Sequence, residues 1–231
     1  MMSLEHILFI PDGNRRWAKK RKQNPWKGHK AGAESFKDLL DYITKNNVVK
    51  NISFWAMSKD NFEKRPKKEV AFLIKIINEA FKKFVEDKTI QERGVNIRFY
   101  GSWDKLFDKK TIANLKQIEQ DTKNNKNFFL SILLAYDGKD ELITGLNALD
   151  RSKKISEKDI KNSLWTKNVP DVDLIIRTGV NGDPHLSGNV LLWQTSYSQL
   201  YFSELLWPDF KVNELKKAIA DFNKRERRKG K

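Results

Sequence analysis

Asp12, Gly13, Asn14, Arg15 and Arg16 follow directly on the apolar run Ile7 to Ile10. An acid, a glycine and paired arginines where a strand gives way to a helix make an anion site. The exposed N–H groups and positive dipole end of a helix attract phosphate, and Gly13 lets the backbone come close. Arg15 and Arg16 add charge-assisted hydrogen bonds. Asp12 is out of place in such a trap, because it repels phosphate unless a divalent cation lies between them. The combination therefore points to a metal-bridged diphosphate. The structural alternative is that Asp12 simply caps the helix that Asn14 to Lys22 begin.

A second basic element, Arg177-Thr178-Gly179, follows the predicted strand Asp173 to Ile176, and Ser187 can add a hydroxyl donor nearby. This makes a second phosphate site on the edge of the same sheet. A third, Arg225 to Gly230, closes the chain and reads by itself as a solvated basic tail.

Positioning these groups falls to a repeating pattern. Apolar, β-branched runs occur at Ile7 to Ile10, Ile52 to Trp55, Val95 to Tyr100, Phe128 to Ala135, Leu174 to Ile176 and Val190 to Trp193, with helical periodicity in most intervals. The alternation predicts a single α/β domain, a mainly parallel central sheet flanked by helices, with ligands beyond the carboxyl ends of the strands. The helix predicted from Lys68 to Glu86 has an apolar surface wider than one core stripe. It could face both a core and an apolar cavity, or be buried between layers.

Composition sets the outer bounds. A chain of 231 residues can bury a real core as one domain. No run of apolar residues is long enough to span a membrane and no secretory signal is present, so a cytoplasmic protein is expected. With no cysteine, disulfides, thiolate catalysis and cysteine-ligated metals are excluded. The net charge of +15 favours polyanionic partners, with nucleic acid, anionic lipid and diphosphates all compatible with it.

The ordered motifs together are more specific than any one alone. Asp12 to Ala18, Gly28-His-Lys-Ala-Gly32, Trp55 to Asn61 with Arg65-Pro66, Asp173 to Gly179, Leu191 to Gln194, Leu206 to Phe210 and the tail Arg225 to Gly230 occur in one sequence. In that order they resemble the cis-prenyltransferase family, over essentially the whole chain. The resemblance implies transfer of an allylic prenyl group to isopentenyl diphosphate with formation of a Z double bond. It implies that Asp12 holds Mg²⁺ against the allylic diphosphate, and that Gly13, Asn14, Arg15 and Arg16 bind that diphosphate, with His29 beside it. Asn14 and Ser58 match positions near the reacting centre. Trp17, Trp55, Asn61 and Arg65 fall among the substrate-binding positions, while Arg177, His185 and Ser187 match the isopentenyl diphosphate site. Arg228 and Gly230 fit an element that reaches into a partner's active site, which implies a homodimer. By the same resemblance the Lys68–Glu86 helix lines an apolar product tunnel, and nucleic acid is not a partner; peripheral membrane contact for product release would suit the basic surface.

Three positions depart from the usual bacterial pattern. Pro25 stands where an arginine contacts the allylic diphosphate, with Lys27 or Arg21 as replacements. His185 stands where a second arginine grips isopentenyl diphosphate, and Gln199 replaces a glutamate that shares the metal. These departures leave two alternatives to chain elongation. One is irregular coupling of two allylic diphosphates into a lavandulyl-like product, and the other is a non-catalytic basic binding module.

Overall fold

The computed structural model describes residues 4–86, 88–186 and 189–225. In chain order the elements are β1 His6–Ile10, α1 Asn14–Lys20, α2 Pro25–Lys45, β2 Asn51–Ser58, α3 Lys59–Lys64, α4 Lys67–Glu86, α5 Lys88–Arg93, β3 Val95–Tyr100, α6 Trp103–Leu106, α7 Lys109–Thr122, β4 Phe128–Tyr136, α8 Gly138–Asn147, α9 Glu157–Ser163, β5 Leu174–Arg177, β6 Gln199–Phe202 and α10 Val212–Lys224.

The six strands form one sheet in the order β3-β4-β2-β1-β5-β6. Every neighbouring pair is parallel. All five residues of β1 are buried, as expected of a central strand covered on both faces. Their alternation divides the core: Ile7 and Phe9 join the larger apolar cluster, Leu8 and Ile10 the smaller. From β1 the chain moves to β2 on one side, and only later returns to lay β5 on the other. The carboxyl ends of β1 and β5 therefore flank a topological switch point, where open parallel sheets leave a crevice.

The predicted strand Val190–Trp193 does not form. Leu191 has φ 45°, and its carbonyl accepts from Thr195 N–H at 3.0 Å, which makes this stretch a series of turns. Val190 and Leu191 are fully buried, so the apolar run reflects burial and not a ladder. The sixth strand is Gln199–Phe202 instead, paired in register with Leu174 to Arg177. The wide apolar surface of α4 is spent partly on packing: Leu73 and Phe81 enter the larger core, and Phe72 meets Trp26 of α2 at 4.9 Å. Among the described residues no helix is long and apolar enough to cross a membrane.

Candidate active site

Asp12 leaves β1 at the switch point. Its backbone carbonyl accepts from Thr178 Oγ1 at 2.8 Å and from Trp207 N–H at 3.0 Å, so the turn is tied both to the end of β5 and to the 3-10 turn Trp207–Asp209. Gly13 follows with φ 112°, a conformation that strains any residue with a side chain, and Leu206 fills the space a Cβ would need. Gly13 is the residue that caps α1, and no side chain caps it. The capping alternative for Asp12 is thus corrected: its carboxylate faces cations. Oδ2 lies 3.1 Å from Arg16 Nη2 and 3.4 Å from Arg177 Nη2, joining the first turn of α1 to the end of β5. Arg16 also donates to the Gly179 carbonyl at 2.7 Å.

An open cleft of about 620 Å³ begins at Asp12 and runs between the start of α1 and the start of α2, reaching His29, Arg65 and Pro25. The N-terminal ends of both helices face it; at α1 no side chain caps the first N–H groups, whereas at α2 Pro25 has none and Asn24 accepts from Trp26 N–H at 3.3 Å and Lys27 N–H at 2.9 Å. A second charge cluster forms its inner wall. Glu69, in the first turn of α4, is about 8% exposed; its Oε1 lies 3.2 Å from Arg65 Nη1, 3.5 Å from His29 Nε2 and 3.9 Å from Arg15 Nε. Burial, and then the charge of Arg65, push the His29 pKa down to about 4 against the pull of Glu69. His29 is therefore neutral at pH 7. Arg65 Nε, Arg177 Nε and His29 Nε2 are all buried without a hydrogen-bond partner. Buried unsatisfied groups are uncommon, and two guanidinium N–H donors left idle beside a cationic cleft fit an anionic ligand.

The expected residues separate into groups. Asp12, Gly13, Asn14, Arg15, Arg16, His29 and Arg65 all border the cleft, and Arg177 reaches it through Asp12. Trp17 is turned the other way, donating from Nε1 to Asp209 Oδ1 at 2.7 Å. Trp55, Ser58 and Asn61 lie at the carboxyl end of β2 and in α3, outside the cleft wall, with Ser58 Oγ capping α3 by accepting from Asn61 N–H at 3.0 Å. The His185 ring faces Asp183, and what His185 offers Arg177 is its backbone carbonyl, 2.6 Å from Nη1. Gln199 begins β6 opposite Leu174, at the far end of the strand pair from Arg177, so it does not approach Asp12 within the same chain. Ser187, Arg228 and Gly230 lie outside the described residues.

Arg21 does not replace an arginine at Pro25. It stacks on Trp17 at 4.0 Å and pairs with Asp209 at 3.2 Å. Lys27 does not line the cleft either, whereas Lys19 and Lys22 do. Sequence reasoning missed Glu69, although an acid four residues after Arg65 on one helical approach was a usable signal.

The fit to Mg²⁺ follows from the donor set. Among the described residues no three His, Asp or Glu side chains converge on a metal-sized site. Asp12 supplies a half-exposed carboxylate whose two ion pairs both fall on Oδ2. One carboxylate completed by substrate phosphate oxygens and water is how Mg²⁺ is commonly held.

The family described as "Putative undecaprenyl diphosphate synthase" matches residues 10–230. The chain belongs to the cis-prenyltransferase family. An isoprenyl transferase of Helicobacter pylori is 38% identical, the match covering 99% of this chain and 97% of that protein. A tritrans,polycis-undecaprenyl-diphosphate synthase (geranylgeranyl-diphosphate specific) of Pyrococcus horikoshii is 34% identical over 98% of this chain and 86% of its own length. Among solved structures, lavandulyl diphosphate synthase from Lavandula x intermedia in complex with dimethylallyl diphosphate superposes with a TM-score of 0.87 at 25% identity, covering 97% of both chains. As a cis-prenyltransferase, this chain is an enzyme whose parallel sheet and flanking helices follow the family fold.

Proposed function

We propose that this prenyltransferase elongates an allylic diphosphate with isopentenyl diphosphate, forming a Z-polyprenyl diphosphate with Mg²⁺ held at Asp12. The observation that carries the reading is the Asp12 carboxylate set between Arg16 and Arg177 where β1 and β5 end. One diphosphate fits the cleft walled by α1 and α2; the other fits the Arg177 side of the same acid.

Asp12 would hold Mg²⁺, which when bound would supply Lewis-acid stabilisation of charge on the leaving diphosphate. Arg15, Arg16 and the N–H groups at the start of α1 orient the phosphate oxygens. The allylic C–O bond breaks with its electron pair going to diphosphate. The isopentenyl double bond then attacks the cationic carbon, and loss of a proton restores neutrality. Neutral His29, being uncharged, can lie against the departing diphosphate without holding it as tightly as an arginine would. The half-buried isoleucines of α4, Ile74, Ile76 and Ile77, supply an apolar path for the growing chain, at about 0.8 kcal/mol per buried methylene.

A homodimer belongs to the same proposal. Ile143 and Leu146, one turn apart on α8, are 57% and 42% exposed, and Leu192 lies against the start of that helix. Such a patch suits a second copy of the chain. A transient contact of the basic surface with anionic membrane would assist product release.

Elongation is favoured over irregular coupling by the isoprenyl transferase and polyprenyl synthase names carried by relatives sharing 34–38% identity, against 25% for the lavandulyl enzyme. The test is product analysis by mass spectrometry after incubation with isopentenyl diphosphate and, in turn, dimethylallyl, geranyl, farnesyl and geranylgeranyl diphosphate. A ladder of five-carbon additions is expected. Branched product from dimethylallyl diphosphate alone would replace elongation with irregular coupling, and no product from any primer would remove the reading.

A further inference from the structure

Helix α1 ends in a closing pattern that normally selects glycine. Gln23 N–H donates to the Ala18 carbonyl at 2.9 Å and Lys22 N–H to the Lys19 carbonyl at 3.0 Å, which puts Lys22 in the left-handed position with φ 52°. Glycine occupies that position without cost, whereas a lysine is strained there. Strain kept at one residue is a pointer to function when the side chain has somewhere to act. Lys22 lines the cleft together with Lys19 and Pro25.

The other cations of the cleft are already engaged. Arg16 and Arg177 share Asp12, while Arg15 and Arg65 share Glu69. Lys19 and Lys22 make no ion pair or side-chain hydrogen bond among the described residues. The far wall beside them is Pro25, which offers neither charge nor backbone N–H. The uncommitted positive charge of the cleft therefore lies at its outer edge, one helix length from Asp12.

We infer that Lys22, assisted by Lys19, is a specificity-determining residue that grips the terminal phosphate of the allylic diphosphate while Asp12 and Arg16 hold the end that breaks. The inference rests on the proposed reaction for the identity of the ligand, but not for its chemistry, which is that of a diphosphate. Lys22 supplies a positive charge at the edge where the phosphate projects from the cleft, and the closing turn of α1 sets where that side chain starts. A primer whose head group is a monophosphate leaves Lys22 without a partner, so the residue selects diphosphates over monophosphates.

The experiment compares wild type, Lys22→Gly and Lys116→Ala. Lys22→Gly relieves the backbone strain and is expected to melt no lower than wild type, which keeps misfolding out of the comparison. Lys116→Ala removes an equal charge from the exposed face of α7, outside the cleft, and reports any effect of net charge alone. Calorimetric titration with inorganic diphosphate should give a Kd about tenfold weaker for Lys22→Gly, the loss of one charge-assisted contact, and near wild type for Lys116→Ala. In turnover assays Lys22→Gly should raise KM for the allylic substrate by a similar factor and leave KM for isopentenyl diphosphate unchanged. Equal diphosphate affinity in the two variants, or a rise confined to isopentenyl diphosphate, overturns the inference. A wild-type protein that binds diphosphate but makes no product removes the reaction instead, and the titration still decides whether Lys22 holds the ligand.

Discussion

A Cβ added to Gly28 would stand 2.0 Å from the carbonyl oxygen of Asn14, so α2 rests on the backbone of α1 with no room between them. The same approach continues one turn on at Gly32, where a Cβ would meet the Asn14 side chain at 2.2 Å. The two walls of the cleft are thus fixed to each other by what these positions lack. Gly28→Ala forces backbone apart, and overpacking of this kind costs at least about 2 kcal/mol. Urea unfolding should show that loss, together with weakened diphosphate binding, because Asn14 and His29 separate. A variant of unchanged stability would mean the helices slide freely, and the shape of the cleft would then need another cause.

Asp12→Ala separates charge from catalysis. Removing the carboxylate frees Arg16 and Arg177, so metal-free inorganic diphosphate should bind at least as well as to wild type. Condensation in the presence of Mg²⁺ should fall by about a hundredfold to a thousandfold, the usual scale for losing a group that stabilises developing charge. Steady-state turnover and a binding titration on the same preparation check both halves. Near-normal turnover removes Asp12 from the mechanism.

Much of this was legible in the sequence because one segment carries both halves of the signal. The fully apolar Ile7–Ile10 reads as a central strand, and the residues after it can only lie at its carboxyl end. The Val190–Trp193 run misleads because burial alone does not distinguish a strand from a buried turn, and the φ of Leu191 leaves no trace in composition. Trp17 and Asp209 are 192 residues apart, and their hydrogen bond could not be found from local pattern. Glu69 was passed over because an acid beside lysines on a helix normally signals a solvated face. Only the packing of α4 against α2 shows that this one is buried.

Glu69 lies where it acts on Arg15, Arg65 and His29 with the charge that an anionic ligand would also bring to them. Glu69→Gln keeps the shape and removes the charge. Arg65, largely buried, then loses its acid, and the ligand-free protein should be less stable by about 1–3 kcal/mol. Inorganic diphosphate should restore more of the melting temperature in this variant than it adds to wild type, since it no longer competes with an internal carboxylate. Differential scanning fluorimetry with and without diphosphate measures the difference. An equal shift in both proteins would make Glu69 a simple packing residue.

Two histidines give the fold an acid-sensitive window. His6 is held by the Pro170 carbonyl at 2.9 Å and Ser53 Oγ at 2.8 Å, and burial pushes its pKa down to about 4; His29 is pushed down to about 4 as well. Free imidazole titrates near 6.5, so at pH 7 both rings are neutral in the folded chain and about three-quarters neutral in the unfolded one. Between about pH 6.5 and 4 the unfolded chain takes up protons that the folded chain refuses, so stability falls as the pH falls through that range and is flat above it. From pH 7.5 to 5 the loss should be about 2 kcal/mol per histidine. Urea midpoints at pH 7.5, 6 and 5 measure it, and His6→Gln should remove about half of the slope. Saturating inorganic diphosphate should flatten the part owed to His29, whose charged form then gains an anion, and leave the part owed to His6. A slope insensitive to both changes would assign the acid lability to other groups.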